Sequence, residues 1–510
     1  MKPTLAAEEL RRSLTQYLTT TLALAEKPVR DALERFLNHS EQGIFRGPYL
    51  RIRTPFRTAH DGWRKVLEWA PEEPTPYVHQ LKAFRRLSTW GKKAQPTLIT
   101  TGTGSGKTES FLIPVLDHCR RERAKGKHGV KAVLLYPMNA LATDQAHRIN
   151  EYLQNDALQA VTAGLYIGDT PEVGYSKVMT QRSEMRRNPP DILITNYKML
   201  DLLLQRADDL SLWEGAEIAY VVVDEFHTYD GAQGTDVAML LRRLAAATGH
   251  SRPGEPLGDI CPVATSATLA TNGGGGRDGG QSIREVAQRV FGVEFPADAV
   301  IGEDRLAVEE FIDKIDVQLP LPHPEELIAC GDPAQDPPAL RRIAAVVTGE
   351  DGLDPQRLAM KLKQHILTQA VLEVLGDRPR PVDEVLELLP RRGAYNWGAY
   401  IRQNPARAAM ALARFVALLS VARVKDQKGR ERPFLMVETH MWVRAVSRLL
   451  RLVHHVPAFG WDGELPVTDA DSTLDVLDKT LLPAIYCRHC GRSGWAAYSP
   501  ERDPAELVTV

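Results

Sequence analysis

TLITTGTGSGKTESFLIP, residues 97–114, reads as a short apolar strand, a glycine-rich turn and a helix opening at Gly106, Lys107 and Thr108. Such a turn leaves backbone N–H groups free at a helix N-terminus, where the helix dipole also favours negative charge. Thr103, Gly104, Ser105, Gly106, Lys107 and Thr108 thus line a phosphate cradle. Lys107 can reach β- and γ-phosphates, and the Thr108 hydroxyl can ligate Mg²⁺. The pattern departs at Thr101, where a phosphate loop has glycine or alanine. Alone, the stretch is either a nucleotide site or a strand-to-helix turn with a surface lysine.

Around it the chain alternates. Apolar runs at 97–100, 132–136, 161–167, 191–194, 219–224 and 261–265 are mostly separated by stretches of helical length. Near-continuous apolar strands between helices predict a parallel sheet with helices on both faces, an α/β fold with ligands at the carboxyl ends of the strands. One run ends in Asp224-Glu225-Phe226-His227. There Asp224 can hold Mg²⁺ through its water shell, and Glu225 can orient and deprotonate an attacking water. Upstream, Gln80 opens a helix after a proline-punctuated loop. Its amide offers the donor and acceptor that an adenine edge needs, or is simply solvated.

TGTGSGKT, DEFH and SAT, in this order, resemble the first RecA-like domain of a superfamily 2 DEAD/DEAH-box helicase. DEFHTYDGAQGTDVAMLLRRL (224–244) is most similar to the Lhr-like and DUF1998-associated branch, which also uses a threonine-rich cradle. The resemblance covers about 200 residues and implies a RecA-like sheet that hydrolyses ATP with Mg²⁺ through Lys107, Thr108, Asp224, Glu225 and His227. Ser266 and Thr268 would relay the nucleotide state to an interdomain cleft. YPMNALATDQ, YIGDT and ITNYKML resemble the strand-contacting motifs, which implies that Pro137, Asn139, Ala140, Gly168, Asp169, Thr195 and Asn196 touch one nucleic-acid strand. Asn139 stands where relatives often have a basic residue. The implied function is an ATP-dependent DNA helicase or translocase, in DNA repair or anti-phage defence. The alternatives are an RNA helicase, or a nucleotide-switched nucleic-acid scaffold that does not unwind.

Composition narrows the setting. In 510 residues, hydrophobic residues are 43% and charged ones 25%, ordinary globular values. A net charge of −2 excludes a uniformly basic protein, so a nucleic-acid contact must be a local groove. Cys119, Cys261, Cys330, Cys487 and Cys490 are too scattered for a disulfide scaffold, which points to a reducing cytoplasm. No apolar run reaches the length of about 18 residues that a membrane span needs.

The chain divides, on this reading, into an N-terminal helical accessory region (1–70), the RecA-like domain (71–305) and a proline-rich linker (306–345). A helical accessory domain (346–480) and a zinc-knuckle-like segment (481–510) follow. HILTQAVLEVLGDRPRPVDEVLELL (365–389) is either part of a winged helix or an ordinary helical hairpin. HMWVRAVSRLLRLV (440–453) reads as a basic helix with Arg444, Arg448 and Arg451 near one face, for phosphate or for solvent. The glycine-rich stretch within 267–282 reads as a flexible loop. Cys487 and Cys490, as Cys-x-x-Cys-Gly, are half a zinc site or a reduced pair. No arginine motif of a second RecA-like domain follows residue 300. That lobe is therefore expected from a further C-terminal part or another chain, beside DNA, single-stranded or as duplex with a tail, and repair or defence subunits as partners.

Overall fold

The computed structural model describes residues 3–60, 62–102, 104–168, 174–229, 231–266, 279–376, 378–426, 429–464, 466–467 and 480–498. Thr103, Asp169 and Thr268 lie outside these residues, as does most of the glycine-rich stretch. The chain forms two compact units, Phe56–Arg305 and Met1–Pro55 with Leu306–Val510.

The first unit is an eight-stranded sheet. Its strands are β1 (Thr97–Thr100), β2 (Ala132–Leu135), β3 (Ala163–Tyr166), β4 (Val178–Met179), β5 (Ile192–Thr195), β6 (Tyr220–Val223), β7 (Cys261–Ser266) and β8 (Val300–Gly302). They lie in the order β4-β3-β5-β2-β6-β7-β1-β8, every neighbouring pair parallel. Its helices include α1 (Val78–Leu87), α2 (Lys107–Ala124), α3 (Asn139–Tyr152), α4 (Arg182–Arg187), α5 (Tyr197–Leu203), α6 (Gly231–Ala247) and α7 (Gly279–Phe291).

Period-two alternation along the strands builds two cores. Leu98, Val133, Leu135, Leu193, Val221, Val223 and Ala264 pack with residues of α5, α6 and α7. Ile99, Ala132, Leu134, Ile192, Ile194, Val222 and Val263 pack with residues of α1, α2 and α3 on the other face. Both faces are covered by helices, which is why the strands read as unbroken apolar runs.

The sheet's lower end is tied by a buried ion network. Lys131 and Asp191, 1% and 0% exposed, pair at 2.7 Å, and Arg123 reaches Asp191 at 2.8 Å. The upper, carboxyl end is thereby left to the loops that carry the motifs.

The second unit combines helices with small sheets. Helices Ala339–Thr348, Pro355–Lys363, Ile366–Leu375, Val382–Leu388 and Pro405–Val421 contribute to one apolar core. The segment 306–345 is not a linker. Phe311, Leu327 and Ile343 sit in that core, because short proline-punctuated helices bury their apolar sides there.

The basic helix expected over 440–453 is absent as well. Met436–Val443 is a strand paired antiparallel with Phe45–Arg53, and Leu450–Leu452 pairs with Leu481–Tyr486. For residues 440–443 a partner strand almost 400 residues away in sequence supplies the hydrogen bonds that local periodicity assigned to a helix, and for 450–452 the strand Leu481–Tyr486 does. Arg444 pairs with Glu464 at 3.0 Å and lies over Trp461, and Arg451 is buried beneath Trp495. These arginines share no helical face.

Candidate functional site

The loop after β1 is shaped from both sides. Gly104 and Gly106 have φ of +78° and +74°, the left-handed region that glycine enters without a Cβ penalty. A Cβ on Gly106 would also meet Gln80 Nε2 at 2.3 Å. Gln80 caps α1, its Oε1 accepting from Tyr77 N at 2.8 Å, and its Nε2 donates to Gly106 O at 3.1 Å. Thr101 is buried, and its hydroxyl lies 2.7 Å from that of Ser105. The departure from the phosphate-loop pattern is therefore a loop closed on itself by two hydroxyls. His79 holds the same turn through Ser105 O at 2.9 Å, and burial pushes its pKa down. Lys107 and Thr108 follow in the first turn of α2.

The acids arrive from β6, two strands away. Lys107 Nζ lies 3.3 Å from Glu225 Oε1. Glu225 has φ +48°, an unusual backbone for a non-glycine residue, at a strain of about 1–2 kcal/mol. That turn aims consecutive carboxylates at one loop. Asp224 accepts a hydrogen bond from Thr265 Oγ1, which itself accepts from Glu225 N at 3.4 Å. Burial raises the Asp224 pKa, the Thr265 bond and Lys107 oppose this, and the Glu225 charge adds to it. His227 Nδ1 stands 3.4 Å from Glu225 Oε2 and 3.3 Å from Ser266 Oγ.

These residues fit a nucleoside triphosphate with Mg²⁺. A carboxylate whose burial disfavours its charge is one that a cation would stabilise. Among the described residues Glu225 Oε2 is buried without a hydrogen-bond partner, an acceptor that an attacking water would satisfy. Lys107 and Thr108 are the groups that would hold phosphate and metal. Bound there, the metal would supply charge neutralisation at the transferred phosphoryl group.

A second group occupies the other half of the strand ends. Asn139 and Asn196, following β2 and β5, join through Asn196 Nδ2 to Asn139 Oδ1 at 2.7 Å. Asn196 also caps α5 by accepting from Met199 N at 2.8 Å. Gly168, after β3, is exposed, and Arg182 donates to its carbonyl at 2.9 Å. Asn139 and Ala140 are exposed and Pro137 is partly so. Thr195 differs from expectation. It is fully buried and its hydroxyl donates to Tyr166 O at 2.6 Å, so the side chain braces the sheet and does not face a strand of nucleic acid.

Sequence reasoning missed Thr265 and Arg182. A threonine near the end of an apolar strand and an arginine in a short helix carry no motif signal. Cys487 and Cys490 are exposed in a turn after Leu481–Tyr486, and backbone N–H groups of Cys490 and His489 lower the Cys487 pKa. Among the described residues no group of three or more His, Cys, Asp or Glu is gathered for a metal, so zinc is not shown. No helix among them is long and apolar enough to cross a membrane.

The fold is that of a RecA-like α/β domain. Residues 77–273 match the DEAD/DEAH box helicase family, and this segment is similar to proteins of the Lhr-like superfamily 2 branch. Druantia protein DruE of Escherichia coli (strain UMEA 4076-1) is 28% identical over 274 residues, covering 34% of this chain and 15% of that protein. The uncharacterized ATP-dependent helicase YprA of Bacillus subtilis (strain 168) is 33% identical over 170 residues, covering 33% and 20%. The Lhr helicase/uracil glycosylase of Escherichia coli (strain K12) is 30% identical over 220 residues, covering 39% and 14%. The chain thus spans a fifth or less of the length of these relatives. The crystal structure of the DUF1998 helicase MrfA bound to DNA and AMPPNP is 25% identical with a TM-score of 0.36, covering 54% of this chain and 34% of that one.

Proposed function

We propose that this chain carries the ATP-hydrolysing half of a DNA-directed helicase or translocase. The observation that carries the reading is the 3.3 Å approach of Lys107 to Glu225, beside an Asp224 held by Thr265. Lys107 and Thr108, with Gly104, Ser105 and Gly106, grip the phosphates. Asp224 holds Mg²⁺, Glu225 activates water, and Gln80, whose amide keeps a second hydrogen and lone pair, meets adenine. His227 and Ser266 carry the state of the γ-phosphate to a second RecA-like lobe, supplied by a further part of the protein or by another chain.

Asn139, Ala140, Asn196 and Gly168 contact the backbone of one strand. The Lhr relative of Escherichia coli bears the name helicase/uracil glycosylase, which favours DNA as the track. A cytoplasmic role in repair or anti-phage defence agrees with that reading.

The test is ATPase activity with single-stranded DNA, tailed duplex and RNA, for wild type, Lys107→Ala and Glu225→Gln. Stimulation by DNA that both variants lose supports the motor. Equal or greater stimulation by RNA replaces the track. A Glu225→Gln protein that keeps full biological activity points to a nucleotide-switched scaffold.

A further inference from the structure

The phosphate loop is gripped from outside the known motifs by residues at the end of the last strand. β8 lies against β1 with Gly302 opposite Thr100, so Glu303 emerges beside the start of the loop. Its Oε1 accepts from Gly102 N at 2.7 Å. Its Oε2 takes Arg305 Nε at 2.6 Å, with the two side chains only 19% and 13% exposed. The Arg305 guanidinium sits 3.7 Å from the centroid of the Phe56 ring. Phe56 packs edge-on against His79 at 5.2 Å, and His79 bonds Ser105 O.

The contacts close a circuit from Gly102 through Glu303, Arg305, Phe56 and His79 back to Ser105. Two points of the loop are held by one cluster. Asp304 anchors that cluster to Arg57 at 3.1 Å and to Lys82 on α1 at 2.8 Å.

The geometry points to Glu303 as a positioning residue that sets the phosphate loop for nucleotide, with Arg305 as its obligatory counter-charge. This rests on the function proposed above. A loop fixed before binding spares the entropy of ordering it at binding. A carboxylate there would repel phosphate if uncompensated, and Arg305 cancels that charge at close range. Linkage is reciprocal, so nucleotide must in turn tighten the cluster.

The roles separate by variant. Glu303→Ala loses the bond to Gly102 N. Glu303→Gln keeps an acceptor there. Arg305→Ala removes that counter-charge.

The experiment is titration of the full chain with mant-ATP and Mg²⁺, alongside ATPase kinetics and thermal melting without nucleotide. Glu303→Ala should weaken binding about five- to tenfold, the worth of one hydrogen bond. KM should rise in step while kcat changes little, and Glu303→Gln should restore wild-type affinity. Arg305→Ala should be weaker than Glu303→Ala, and the double variant should recover part of the loss. Glu303→Ala binding like wild type, even with a lowered melting point, overturns the inference alone. So does Glu303→Gln as weak as Glu303→Ala. A wild-type chain that binds no mant-ATP overturns the proposed function and this inference with it.

Discussion

Lys107 Nζ and Glu225 Oε1 lie 3.3 Å apart although 118 residues separate them in the chain. The pair is largely shielded, the lysine side chain 13% and the glutamate 26% exposed, so the attraction is stronger than that of a surface pair.

The first prediction separates binding from chemistry at this pair. Lys107→Ala should lower ATP affinity tenfold or more, since a charge-assisted contact is worth about 1.5–3 kcal/mol. Glu225→Gln should leave affinity nearly unchanged and slow turnover by about 10²–10⁴, the contribution of a general base. Nucleotide titration and single-turnover hydrolysis check the two arms. Loss of binding in both variants would remove the base role from Glu225.

Thr265 orients Asp224 and receives Glu225 N, so it braces both acids. Thr265→Val keeps the shape and removes the hydroxyl. The expected outcome is a higher Mg²⁺ midpoint in hydrolysis and a stability loss of about 1–2 kcal/mol. Thr265→Ser should restore both. A magnesium titration of ATPase activity reads the first, and urea unfolding the second.

Asn139 and Asn196 part company in their second roles. Asn196→Ala should remove the α5 cap, costing about 1 kcal/mol, and also weaken single-stranded DNA binding. Asn139→Ala should weaken binding without lowering the melting temperature. Asn196→Asp keeps the cap yet sets a negative charge near phosphate, so it should melt normally and bind poorly. Fluorescence anisotropy with a labelled oligonucleotide, paired with melting curves, decides.

His118, on α2, is buried against Tyr220, and its ring nitrogen meets the Thr89 hydroxyl at 2.8 Å. Burial, which outweighs the raising effect of Glu122 and is helped by Arg121 and Lys131, pushes its pKa from 6.5 down to about 4. The folded ring stays neutral where the unfolded one takes a proton, so stability is full above 6.5 and falls as pH drops from 6.5 toward 4. The effect reaches about 3 kcal/mol. Melting temperatures across this range should fall less steeply for His118→Gln than for wild type.

What was legible in the chain follows from local signals. Six of the eight strands showed as apolar runs, because strands buried on both faces need no polar alternation. β4 and β8, of two and three residues, are too short to show any period. The glycines, lysine and paired acids of the proposed nucleotide site were readable, since phosphate and metal demand those residue types. Thr265 and Glu303 were not, because each acts through one hydrogen bond set by strand adjacency. Residues 440–453 misled because a segment with apolar and basic residues at helical spacing was claimed by partner strands.

The amino-acid order by itself determined the class of the domain, its strand-and-helix alternation and the groups proposed to meet a triphosphate. Only the tertiary structure decided which strand ends stand side by side, what braces each acid, and that Thr195 faces inward. The reason is physical. Backbone propensity and burial act within a few residues, whereas pairing of parallel strands and closure of hydrogen-bonded circuits join residues whose separation along the chain carries no local trace.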